Sequence, residues 1–292
     1  MLRNFLKLRP ATSIHIRTIT IPSYKNDTVF NYGKAAEEMA WHRNRLITMP
    51  ERFEPIGSRR DISEYQLTQL KALARGVCLT NYKGVSMLKT GLDLSVYSQL
   101  LQEVKPKSII ELGTYTGGSA LWLDDTMRNF GVECGIYSLD CDVSLRDDKV
   151  NEMVSNQVKF LEGDTKNVKK LFPRSFLLAL PRPLMLIEDV HVNLNAIIEH
   201  FHEYLKEGDY FIFEKTNPML SENFYVGENN PRLYRDSSVV GAKYSEMGKW
   251  KMEYMRDFFI PHMDFYAVDT FFTDLYGYNC TSQMNSIFRR MI

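Results

Sequence analysis

The sequence predicts an α/β fold: a seven-stranded, mostly parallel sheet with helices on both faces, preceded by an N-terminal helical extension. Three observations carry that prediction. Between Lys89 and Lys215, short apolar runs alternate with longer stretches whose apolar residues recur at helical spacing. Each of the five runs ends in an acid or an acid pair. The first run also feeds a glycine-bearing turn, Gly113 to Gly118, that opens a helix.

The elements follow in order. Residues 1–26 carry Arg3, Lys7, Arg9, Arg17 and Lys25, with Thr12, Ser13, Thr18 and Thr20 between them and no acid before Asp27. A basic, hydroxyl-rich, amphipathic start describes a mitochondrial presequence; a disordered basic tail on a cytoplasmic protein is the competing reading. Residues 27–88 form the helical extension. One helix runs past Ala35, Met39 and Trp41 and ends before Pro50, and a second, capped by Asp61 or Ser63, ends near Gly76. This extension is read as cover for the main domain or as a contact between subunits of a homo-oligomer. The main domain spans 89–292. Its helices are expected at 93–104, 119–130, from Asn193 to Gly208, and 246–259. Its strands are expected at 108–112, 135–139, 158–161, 184–187 and 210–213, closed by two more at 265–272 and 285–291. Short buried strands joined by helices make a parallel sheet covered on both faces. The irregular segment 216–250 is read as a lid or acceptor-binding segment, with Tyr225, Tyr234 and Trp250 as candidate lining residues.

Composition narrows the partners. The chain has 292 residues, 44% hydrophobic and 25% charged, enough for a sizeable core. Lys plus Arg and Asp plus Glu both number 36, so the net charge is zero. Nothing in that balance attracts nucleic acid or an anionic membrane, and no apolar run is long enough to span a bilayer. Cys78, Cys134, Cys141 and Cys280 have no paired metal-ligand spacing, and the six histidines form no H-E-x-x-H.

The chemistry concentrates in Ile109-Ile110-Glu111-Leu112-Gly113-Thr114-Tyr115-Thr116-Gly117-Gly118-Ser119. Glycines at 113 and 117 let the turn approach a ligand closely, and the helix that follows presents free N–H groups. A dinucleotide fingerprint needs glycine at the third position of the turn, and Tyr115 fills it. The E-x-G-x-x-x-G spacing instead matches the first motif of class I methyltransferases on their Rossmann-like sheet. In that reading Glu111 faces the amino group of S-adenosylmethionine, Asp140 takes the ribose hydroxyls, and Asp164 takes the adenine amino group. Lys89, Gly113, Thr114, Tyr115, Gly117, Ser119 and Glu188 complete the expected cofactor contacts.

Residues 81–292 resemble the cephalosporin hydroxylase and rhamnosyl O-methyltransferase family. The resemblance rests on Met87-Leu88-Lys89, the turn above, Pro183-Leu184, Ile187-Glu188-Asp189-Val190-His191, Glu207 to Ile212 with Glu214, and Thr281-Ser282-Gln283 before Phe288-Arg289-Arg290. It implies transfer of a methyl group from S-adenosylmethionine to a hydroxyl, less favourably an amine, of a small-molecule acceptor, assisted by a divalent metal. Family members place one acid at the end of the fourth strand and two at the end of the fifth as metal ligands. Here the corresponding places hold Glu188, with Asp189 beside it, and Glu214 followed by Lys215. Either Glu188, Asp189 and Glu214 still hold Mg2+, or Lys215 replaces the metal; the second reading is preferred, because a cation cannot ligate magnesium. His191 is a candidate general base beside Lys215. The alternative from another class is a methyltransferase-like scaffold or regulatory subunit without activity.

Overall fold

In the computed structural model the described residues are 32–77, 79–217 and 238–292, with no side-chain description for 32, 67, 70, 71, 74, 75 and 238–247. The presequence-like segment, Tyr225, Tyr234 and most of the 216–250 segment lie outside them. The chain divides into two compact units after Met49. The described part of the first is helix α1 (Tyr32–Thr48).

The second unit begins with strand β1 (Phe53–Glu54), helix α2 (Leu67–Val77) and the hairpin strands β2 (Asn81–Tyr82) and β3 (Val85–Ser86). Helix α3 (Gly91–Val104) starts on a capping box, in which Thr90 and Asp93 each accept the other's backbone N–H. It stops at Lys105, which is left-handed and precedes Pro106. Then come strand β4 (Ser108–Leu112), helix α4 (Gly118–Asn129), strand β5 (Gly135–Asp140), the short helix α5 (Val150–Met153) and strand β6 (Val158–Glu162). Short helices α6 (Val168–Leu171) and α7 (Arg174–Ala179) lead to strand β7 (Leu184–Glu188), helix α8 (Leu194–His202) and strand β8 (Tyr210–Phe213). The chain closes with helix α9 (Ser238–Phe259), strand β9 (Tyr266–Asp269), the single turn α10 (Thr270–Thr273) and strand β10 (Ile287–Arg290).

The sheet runs β1-β9-β10-β8-β7-β4-β5-β6. Strands β6, β5, β4, β7 and β8 pair in parallel, while β10 is antiparallel to both β8 and β9. This is the expected seven-stranded Rossmann-like sheet with one two-residue edge strand added. The boundary between the two compact units falls after Met49. Residues 50–88 belong to the second unit, because β1 pairs with β9 and Arg52 forms a buried bidentate pair with Asp269.

Each central strand is apolar on both faces because each face meets a helical layer. Ile110, Leu112, Leu186, Phe211 and Phe213 pack with Ile197, Ile198 and Phe201 of α8. The alternate positions Ile109, Met185, Ile187 and Ile212 pack with Leu100 and Leu101 of α3 and Leu123 of α4. Burial of each such side chain contributes roughly 1.5–3 kcal/mol. Strand order reverses between β4 and β7, so a crevice opens at their carboxyl ends, the usual ligand position of such sheets.

Candidate active site at the strand ends

The crevice holds a cavity of about 1220 Å³, lined among others by Gly113, Tyr115, Asp140, Asp164, Asp189 and Trp250. Sheet ladders run past the strands and fix its walls. Gly113 donates to Leu139 O (2.8 Å), Asp189 to Leu112 O (2.8 Å) and Glu214 to Glu188 O (2.9 Å). Gly113 has φ +108°, and a Cβ there would lie 2.8 Å from the Asp189 carbonyl oxygen. Gly118 has no room either, since a Cβ would lie 2.3 Å from the carbonyl oxygen of Ser86. The glycines thus serve close backbone packing of β4, the β3 hairpin and the β7 end as much as ligand approach.

Lys89, Thr114, Ser119 and Asp140 line the cavity. Asp140 accepts the backbone N–H of Tyr115 on one oxygen (2.8 Å) and that of Asp142 on the other (3.1 Å). A carboxylate has about four acceptor positions, so it keeps capacity beyond these two bonds. Asp164 accepts from the Lys166 N–H (2.8 Å) and is anchored in the same way. Tyr115 takes a left-handed turn position (φ +48°) and is 41% exposed. Gly117, also with positive φ, sits against Val150 and Arg146 at the start of α4 and is not among the lining residues.

Two further residues expected to contact the cofactor, Glu111 and Glu188, are likewise not among the lining residues. Glu111 pairs in register with Ser138 and is buried under the turn, where Thr114 donates to Ser138 (2.7 Å) and Ser138 to Glu111 (2.5 Å). Its carboxyl lies beside Ser119, Lys89 and Asp189, which line the cavity, while Glu111 itself is not among the lining residues. Burial pushes its pKa up to about 7, although the hydroxyls of Ser119 and Ser138 and the charge of Lys89 oppose the shift. Glu188, fully buried, accepts the N–H groups of Val190 (3.1 Å) and His191 (2.9 Å) on Oε1, and the Lys251 ammonium on Oε2 (2.6 Å).

The expected metal ligands are consumed likewise. Glu214 accepts from Lys89 (2.9 Å), Tyr97 (2.5 Å) and Gln283 (2.9 Å). Asp189 meets Lys215 (2.9 Å), His191 Nε2 (3.1 Å) and Lys89 (3.3 Å). Burial alone would raise the pKa of Asp189, but Lys215 and Lys89 outweigh it and hold the carboxyl well below its usual range. Burial likewise works against the charge of Lys89, and Glu214 and Asp189 more than restore it. Burial first, then Lys251 and Lys215, lower the pKa of His191 to about 4, so the imidazole is neutral at pH 7. Magnesium needs an octahedron of oxygens. Three carboxylates here face three ammoniums, and among the described residues no group of three His, Cys, Asp or Glu side chains could hold a metal. The residues present do not fit Mg2+.

Sequence reasoning missed Lys251, Tyr97 and Ser138. Lys251 had a signal: it shares one face of α9 with Met255 and Phe259, all buried, and a lysine on an apolar face needs a partner.

The family model described as Rhamnosyl O-methyltransferase/CmcI matches residues 76–231, more than half of the chain. The chain belongs to that family. Among its curated Rhamnosyl O-methyltransferase/CmcI relatives, the rhamnosyl O-methyltransferase of Mycobacterium tuberculosis (strain H37Rv) is 25% identical over 147 residues. The aligned region is 47% of this chain and 57% of that relative, so the chain spans little more than half the length of the relative it matches. The Mycobacterium leprae enzyme is 34% identical over 61 residues, 21% of this chain and 27% of its own. A structure of CmcI with Mg and SAM is 26% identical with a TM-score of 0.51, over 74% of this chain and 78% of that one. A CmcI structure with SAH gives 26% and 0.50, over 73% and 83%. The family match at residues 76–231 takes in strands β4 to β8 and their carboxyl ends.

Proposed function

We propose that this chain is an S-adenosylmethionine-dependent O-methyltransferase that acts on a hydroxyl of a small molecule without a metal ion. One observation carries the reading: a single cavity at the strand ends joins anchored Asp140 and Asp164 to the Asp189–Lys215–His191 group. The two related structures of CmcI, with Mg and SAM and with SAH, support the choice of cofactor. When bound, S-adenosylmethionine supplies a methyl group already activated by its sulfonium.

The protein then has to hold the acceptor, exclude water and manage one proton. Lys215, on a left-handed residue (φ +58°) just past β8, presents an ammonium beside the cavity. Its hydrogen bonds favour the alkoxide character of an acceptor oxygen placed there, the part a metal plays in related enzymes. His191 lies 3.4 Å from the same ammonium and is neutral, so it is able to take the acceptor's proton. Trp250 offers an apolar wall for the acceptor. An inactive scaffold is the weaker reading, since these groups converge on the cavity.

Calorimetric titration with S-adenosylhomocysteine tests the cofactor half. Binding in the roughly micromolar range, lost in Asp140→Ala, is expected; no binding by the intact chain would overturn the assignment. Turnover unaffected by chelator is expected as well, and loss restored by Mg2+ would return the metal. The basic start supports a mitochondrial address for the chain. A reporter carrying residues 1–26 is expected in mitochondria, and a diffuse cytosolic signal would remove that idea.

A further inference from the structure

Lys251 is fully buried on α9, yet its ammonium reaches across to the ends of two parallel strands. It donates to Glu188 Oε2 at 2.6 Å, at the end of β7, and to the carbonyl oxygen of Glu214 at 2.9 Å, just past β8. The other oxygen of Glu188 accepts the N–H groups of Val190 and His191, which shapes the loop carrying His191 in its left-handed conformation (φ +60°). The Glu214 carbonyl belongs to the peptide that leads into Lys215, itself left-handed. One ammonium therefore ties together the two backbone turns that present His191 and Lys215 to the cavity. A buried carboxylate such as Glu188 needs a cation, and an ammonium and a divalent ion compete for the same oxygens.

We propose that Lys251 is a positioning residue that takes the place of a divalent cation: its ammonium neutralises Glu188, fixes the two turns, and bars metal from the site. The inference deepens the metal-free reading above and rests on it. Lys89 and Lys215 complete the exclusion by meeting Glu214 and Asp189. All three carboxylates are then spoken for by side chains of the chain itself, and the organisation of the site does not depend on an ion from solution.

The consequence is a gain of function. Lys215→Asp together with Lys251→Ala removes two ammoniums and adds one carboxylate, leaving oxygens gathered around Glu188 and Glu214. Mn2+ serves as the probe, its free six-line electron paramagnetic resonance signal being read with and without S-adenosylhomocysteine. The intact chain and Lys251→Arg are expected to leave the free signal unchanged. Lys215→Asp alone is expected to bind little, because Lys251 still holds Glu188. The double variant is expected to bind Mn2+ roughly ten-fold more tightly than Lys215→Asp. If the double variant does not fold, Lys215→Asp with Lys251→Met, which keeps the stem volume, is read in its place. Binding of Mn2+ by the intact chain as tight as by the double variant would overturn the proposal. So would a folded double variant, by either route, no better than Lys215→Asp. Failure of S-adenosylhomocysteine to bind strikes the methyltransferase reading instead, and the Mn2+ comparison is read independently of it.

Discussion

Glu111 shows how burial sets the pH behaviour of a single motif residue. At the end of β4 it pairs in register with Ser138, whose hydroxyl donates to it beneath the Gly113–Gly118 turn. There it is 2% exposed, and burial raises its pKa to about 7. A carboxyl whose folded pKa lies above its unfolded value adds stability that is complete below the unfolded value of 4.5 and lost as pH rises through about 7. At pH 8 the ionised group therefore costs on the order of 3 kcal/mol. Glu111→Gln is expected to raise the melting temperature at pH 8, with the gain shrinking toward pH 4. A gain independent of pH would remove the argument. The glycines are read more directly from the sequence, because positive φ and close approach leave only one residue type. Gly118→Ala is expected to destabilise by about 1–3 kcal/mol in urea unfolding, since its Cβ would meet the rigid Ser86 carbonyl.

Among the elements, those with a local signature are legible in the sequence and those held by distant partners are not. Helix α3 announces itself by Thr90, Asp93 and Pro106, and strands β4, β7 and β8 by continuous apolar runs whose two faces meet two helical layers. Strand β1 is two residues long, and what fixes it is an ion pair between residues 217 positions apart. No local pattern reveals that, so the strap around it reads as part of a separate extension. Arg52 donates from Nε and Nη2 to Asp269 (both 2.7 Å) and from Nη1 to Glu103 (2.6 Å), while Tyr210 donates to the same Asp269 (2.8 Å). Removing one partner of a buried pair leaves an uncompensated charge. Arg52→Met is therefore expected to cost about 3–5 kcal/mol in chemical denaturation. Arg52→Lys is expected to recover little, because an ammonium cannot make the two-pronged contact. Full rescue by lysine would show that charge alone holds the edge of the sheet.

At the scale of the whole molecule, the cavity is assembled from residues that begin at Ser86 and end on α9, so its integrity depends on where the chain is cut. The candidate site was legible as a set of strand-end acids because parallel sheets place those ends together; which acid faces the cavity was not, because lysines from distant elements decide it. Lys251 on α9 and Lys89 before α3 claim Glu188 and Glu214, and no spacing near those acids foretells it. A boundary after residue 88, the one that the periodicity suggests, would delete Ser86, whose carbonyl oxygen accepts from Thr116 (2.5 Å), and the Arg52–Asp269 pair. A boundary after Met49 removes none of these, and every lining residue stays in the piece. Residues 50–292 alone are expected to bind S-adenosylhomocysteine with unchanged affinity. At a hundred-fold excess over its dissociation constant the ligand should add about 2.7 kcal/mol of stability by mass action. That corresponds to a rise of roughly 5–10 °C in the melting temperature of a domain of this size. Residues 89–292 are expected to show neither the binding nor the rise. Equal behaviour of the two pieces in calorimetry and thermal melting would mean that the strap and hairpin contribute nothing to the site, and the contacts of Gly118 and Arg52 would need another explanation.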